Sequence, residues 1–148
     1  MATQAHRGRT NCNRDASAAT QVTLVAAAAG PADGELLIAT DADNLGASHI
    51  VTGQPAGNAL KVPALRLQRI LDEAGVSLVD ALKIDVEGFE DRVLTGFFKQ
   101  APASLWPRAV VIEHLSRNEW LEDCIADMRA RGYAETGKTR SNTLLVKS

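Results

Sequence analysis

No stretch of this chain approaches the eighteen consecutive apolar residues that a membrane-spanning helix requires, so no such helix is expected. The N-terminus also has no apolar segment of the secretory kind. Neither sign of charge is in excess. Sixteen Lys and Arg stand against eighteen Asp and Glu, a net charge of −2. That balance gives no electrostatic reason to expect nucleic acid or an anionic membrane as partner. Cysteine is scarce. Cys12 and Cys124 lie far apart and belong to no metal-ligand spacing, and a reducing cytoplasm suits this usage. Residues 1–20 lack Val, Leu, Ile and every aromatic, and carry Arg7, Arg9 and Arg14 against Asp15. Such a segment buries too little apolar surface to offset its ordering entropy, and a disordered arm is expected there.

From residue 21 onward the chain is patterned. Its 148 residues suffice for one domain, burying roughly 68–70% of the unfolded surface. "VTLVAAAAG" (22–30) reads as a short buried strand, and "GPADGELLIAT" as a turn around Asp33-Gly34 leading into a second strand. Residues 41–58 read as loop. Pro63 suits the first turn of a helix carrying Leu67, Ile70, Leu71 and Ala74 on one face and ended by Gly75. "VDALKIDV" (79–86) is the next strand, and residues 88–97 the next helix, with Phe89, Val93, Leu94 and Phe97 as its stripe. "AVVIEHL" (109–115) is a third buried strand. A helix over 118–131 presents Trp120, Leu121, Cys124, Ile125 and Met128, and Gly132 caps it. "YAET" and "NTLLVK" close the chain as two strands. Strands alternating with helices predict an α/β domain with a mostly parallel sheet and an antiparallel C-terminal strand pair.

One motif fails its own physical test. Residues 132–139, "GYAETGKT", match the P-loop spacing letter for letter. A P-loop follows a strand and opens a helix, whose N–H groups then face the phosphates. Here a helix precedes Gly132 and a strand follows Thr139, so nucleotide hydrolysis is rejected.

The acids at the strand ends are more informative. In open α/β sheets, ligands bind outside the carboxyl ends of the strands. Asp85 and Glu87 occupy that end of one strand, Glu113 and His114 that end of the next. Strands joined by a right-handed crossover are often neighbours, so these four residues are candidates for one crevice. A carboxylate or neutral imidazole there can accept a proton from a substrate hydroxyl, and partial burial raises a carboxylate's pKa toward the working range. Several acids together also suit a divalent cation, though no metal ligand is assigned. Glu90 and Asp91 read as first-turn acids that favour the helix dipole by about 0.3–1 kcal/mol each. Glu87 and Glu90 have N-cap to N3 spacing, and Lys83 is placed to pair with a neighbouring carboxylate.

"VDALKIDVEGFEDRVLTGF" closely resembles the signature of the FkbM family of methyltransferases. "NLGASHI", "VPALRLQRILDEAG", "PRAVVIEH" and "TRSNTLLVK" resemble the segments around it in the same order, with Gln68 where the family usually has Asp. The likeness spans about residues 21–148. It implies a Rossmann-like fold and S-adenosylmethionine-dependent transfer of a methyl group to a hydroxyl, on a sugar or a secondary metabolite. It places Asp85 and Glu87 at the active-site mouth with Glu113 and His114 across from them, and Ala27 and Ala28 beside the cofactor's adenine. The family's opening strand, its glycine-rich cofactor turn and a second strand ending in a ribose-binding acid have no counterpart here. Residues 21–148 are therefore expected to be a truncated FkbM-type domain, a partial Rossmann-like fold doubtful in cofactor binding and activity. Loss of the first strand predicts that "VDALKIDV" becomes an open sheet edge, available for self-association. The alternative is a non-catalytic binding module derived from the same fold.

Overall fold

A computed structural model describes residues 21–41, 44–51 and 59–148. The expected arm, and residues 42–43 and 52–58 of the loop expected over 41–58, lie outside the described residues. Eight strands and three α-helices are described: β1 (Ala28–Gly30), β2 (Gly34–Asp41), β3 (Asn44–Val51), β4 (Ala59–Arg66), α1 (Leu67–Glu73), β5 (Ala81–Ile84), α2 (Glu90–Gln100), β6 (Ala109–Glu113), α3 (Cys124–Ala130), β7 (Tyr133–Lys138) and β8 (Asn142–Lys147).

The strands form two four-stranded sheets, in the orders β1-β4-β2-β3 and β5-β6-β8-β7. Among the described residues, only β1–β4 and β5–β6 are parallel pairs. The other four pairings are antiparallel, including the closing β7–β8 pair. The α/β class and the antiparallel C-terminal pair stand, but the mostly parallel sheet is corrected to two mixed ones.

The correction originates in residues 41–66. Asn44–Val51, read as loop, pairs antiparallel with β2. Pro63, read as a helix start, lies within β4 opposite Glu35 of β2. Here β4 is paired on one side only, since β1 reaches just Ala64–Arg66, and proline is tolerated at such half-paired positions. The helix begins four residues later, at Leu67. It ends as expected at Gly75, whose φ of +67° suits a residue without a side chain. The strand expected over 22–30 is reduced to its last three residues, and Val22 is 45% exposed.

The main core lies between the second sheet and the three helices. Register sets Leu82, Val110 and Leu145 side by side, with Ile84, Ile112 and Thr143 in the next row. Onto these rows pack Val93, Leu94 and Phe97 of α2 and Cys124, Ile125 and Met128 of α3. Leu94 and Met128 are fully buried, each contributing about 1.5–3 kcal/mol of transfer free energy. Burial pushes the Cys124 thiol up to about 12, so it is an unreactive core residue.

The last helix is shorter than its apolar spacing suggests. A 3-10 turn covers Arg117–Glu119, and α3 starts only after Asp123, whose carboxylate accepts from the Ala126 N–H at 3.1 Å. Leu121, expected on the buried stripe, is 78% exposed. The P-loop lookalike is the β7–β8 hairpin. Gly137 and Lys138 end β7, and the Thr139 hydroxyl accepts from the Asn142 N–H at 3.0 Å. No described helix is long and apolar enough to cross a membrane.

Candidate active site

At Ile84 the chain leaves β5 and turns through 85–89 into α2. Glu87 has φ +51° and Gly88 φ +91°. Two successive residues in the left-handed region make a sharp reversal that points the turn back toward the sheet mouth. Glu87 holds a backbone conformation uncommon for any residue but glycine, a form of strain that clusters at functional sites. Gly88 is favoured by its φ. Beyond its φ, an added Cβ would lie 2.6 Å from Glu119 Oε2.

Around this turn the acids converge. Asp85, Glu90 and Glu113 each place a carboxylate oxygen within 4.8 Å of the others'. Glu90 is wholly buried and Glu113 is 8% exposed, whereas Asp85 is open to solvent and pairs with Lys83 Nζ at 2.7 Å. Three carboxylates so spaced match the ligand set of a hard divalent cation and equally the requirements of a proton acceptor. Glu87 lies at the rim. Its carboxyl is pushed above the ordinary range, first by partial loss of hydration and then by the charges of Asp85, Glu113, Glu90 and Glu119.

The four acid-and-histidine candidates separate on inspection. Asp85, Glu87 and Glu113 share one mouth. Glu113 lies at the end of β6 and accepts from the Leu115 N–H through Oε1. His114 stands outside the carboxylate trio. Its Nδ1 is 3.0 Å from the buried Thr143 hydroxyl of β8, and its N–H donates to the Ser141 carbonyl. Neighbouring strand residues face opposite ways, which accounts for the divergence from Glu113. Ala27 precedes β1, and Ala28 is packed with Ile38 and Val62 in the satellite core of the other sheet, away from the acids' own strands.

Other residues at the mouth carry no comparable sequence signal. Glu90 and Asp91 are first-turn acids as expected, but both are buried and bonded, not dipole partners in solvent. Phe89 is the N-cap and no side chain caps the helix, so the Glu87–Glu90 capping pair does not form. Glu90 accepts from Val86 N–H at 2.7 Å and from the Trp120 indole N–H at 2.9 Å. Asp91 Oδ2 accepts from the N–H groups of Leu121 at 2.7 Å and Glu122 at 3.2 Å. These bonds hold residues 119–122 over the mouth and bring Glu119 onto Gly88. The partners are some thirty residues apart, so neither periodicity nor spacing marks them in advance.

No curated protein and no solved structure matches the chain. The model of the methyltransferase FkbM domain matches residues 5–134, beginning inside the segment expected to be an arm and ending at the start of β7. With most of its length matched and the Asp85–Gly88 turn inside the match, this chain belongs to the FkbM methyltransferase domain family.

Proposed function

We propose that the acidic mouth between β5 and β6 is the acceptor side of an S-adenosylmethionine-dependent O-methyltransferase, acting on a hydroxyl of a sugar or secondary metabolite. The observation that carries this reading is the convergence of Asp85, Glu87 and Glu113 at the carboxyl ends of two parallel strands. A hydroxyl becomes a competent nucleophile when its proton is taken as the new bond to carbon forms. Glu87 is best suited to take it. It is accessible, and its raised proton affinity makes it a stronger base than an ordinary surface carboxylate. Asp85 and Glu113, tied to Lys83 and to the Leu115 N–H, orient the acceptor's other hydroxyls. A small polyhydroxylated molecule is the partner this chemistry fits.

Family membership suggests S-adenosylmethionine as methyl donor. Its methionine end needs a glycine turn with free N–H groups at a strand mouth. Gly30 is followed by Pro31, which has no N–H, and the space above Gly88 is filled by Glu119. The described residues therefore do not fit that end of the donor, and no step is assigned through it.

Transfer of a labelled methyl group from S-adenosylmethionine to a panel of sugar and polyketide alcohols tests the reading. Incorporation that falls at least tenfold in Glu87→Gln supports it. Incorporation indifferent to Glu87→Gln and Glu113→Gln overturns the assigned chemistry.

A second reading rests on a separate observation. Among the described residues, β5 pairs on one side only, and its Ala-Leu-Lys-Ile run leaves a row of backbone groups for another strand. A non-catalytic module would associate through that edge. A concentration-dependent dimer on size-exclusion chromatography, together with no methyl transfer to any acceptor, favours this reading; a compact monomer counts against it.

A further inference from the structure

We propose that Glu90 is a positioning residue: one buried carboxylate fixes the Asp85–Gly88 turn through the Val86 N–H and the segment over the mouth through the Trp120 indole, and so sets the spacing of the two walls. The inference rests on the reading of this mouth as the acceptor site, but its test uses no methyl transfer, so the two can fail separately.

Glu90 is wholly shielded from solvent, which is costly for a carboxylate unless both oxygens are bonded. Both are. Oε1 accepts from Val86 N–H at 2.7 Å, and Oε2 from Trp120 Nε1 at 2.9 Å. Each bond goes to a different wall. Val86 lies between Asp85 and Glu87 in the turn. Trp120 follows Glu119, whose Oε2 lies 2.6 Å from where a Cβ on Gly88 would be. Loosening the indole would free the backbone that carries this exposed carboxylate. The next two residues reinforce the arrangement: Asp91 holds the Leu121 and Glu122 N–H groups, and Arg92 donates to the Gly88 carbonyl at 3.0 Å and the Glu119 carbonyl at 3.3 Å. An acid serving only the helix dipole would gain nothing from burial, nor from reaching an indole thirty residues away.

Trp120→Phe removes the indole N–H and leaves every charge in place. Glu87 reports the result, because its carboxyl is held above the ordinary range by partial loss of hydration and by the charges of Asp85, Glu113, Glu90 and Glu119, while Lys83 pairs with Asp85 and Arg92 bonds the Gly88 carbonyl beside it. In Trp120→Phe, side-chain carboxyl NMR should show Glu87 titrating at lower pH than in the unmodified chain, as Glu119 moves off. Amide hydrogen exchange at Val86 and Leu121 should accelerate about tenfold while Val110 and Ile112 of β6 stay protected. Glu90→Gln should reproduce the exchange pattern, since an amide offers one acceptor oxygen where two are needed. Unchanged Glu87 titration and Leu121 exchange would overturn the proposal. So would faster exchange spread evenly through β6, which would make the contact general packing.

Discussion

At Gly88 backbone and side-chain constraints coincide. Its φ of +91° is one that L side chains rarely adopt, and a methyl group there would come within 2.6 Å of Glu119 Oε2, the tip of an exposed side chain that must shift. Gly88→Ala should destabilise the fold by about 1–3 kcal/mol, measured by thermal or urea unfolding. Glu119→Ala in the same background should recover part of the loss by clearing the steric contact, while the backbone cost remains. Beside it, Glu87 makes a prediction about pH. Its folded-state pKa is raised, so the folded chain holds this proton more tightly than the unfolded chain. The stabilising contribution is complete below the unfolded pKa and lost as pH rises through the folded one. Above that window, Glu87→Gln should stabilise the protein slightly, the effect being screened by solvent, and the difference should disappear in acid. The acids of this turn were legible in the sequence because a charged residue inside an apolar strand demands a reason. The roles of Glu119 and Trp120 were not, because they depend on contacts across the fold.

Among the elements, regular apolar spacing was read reliably where it was decisive. Phe89, Val93, Leu94 and Phe97 face the core as the 3.6-residue period requires. Spacing misled at 118–123. There Trp120 and Leu121 match a helical stripe, but the backbone N–H groups of Leu121 and Glu122 go to Asp91 and the helix waits for the Asp123 cap. Pro63 misled for a related reason: a helix start and a half-paired strand position both tolerate a missing N–H, and only the length of β1 decides between them. The first sheet is joined to α1 by a further acid. Asp33, in the β1–β2 turn, accepts from the Arg66 N–H at 2.9 Å and from its guanidinium at 3.0 and 3.2 Å, with Arg69 nearby. These partners hold its carboxyl at about 2. A depressed pKa contributes stability above the unfolded value and loses it as pH falls toward 2. Asp33→Asn should therefore flatten the pH dependence of unfolding below pH 4, and the change should shrink in high salt because the cluster is solvent-exposed.

For the molecule as a whole, two mixed sheets replace the one mostly parallel sheet that alternating strands and helices suggest. Loss of the family's first strand predicts an open β5, and among the described residues β5 is terminal in its sheet, as β1 is in the other. What the sequence did not reveal is that β2, β3 and β4 assemble their own antiparallel layer, because β3 comes from residues that read as loop and β4 holds the proline that read as a helix start. The proposed chemistry rests on the β5–β6 parallel pair, whose ends bring Asp85 and Glu113 together beside Glu90. The most direct test is a carboxyl-selective NMR titration of Glu87 in the intact chain and in Asp85→Asn and Glu113→Gln. A coupled acidic mouth predicts a Glu87 midpoint above that of an ordinary glutamate, falling in each variant. A midpoint at the ordinary value, indifferent to both substitutions, would mean that these side chains share no site.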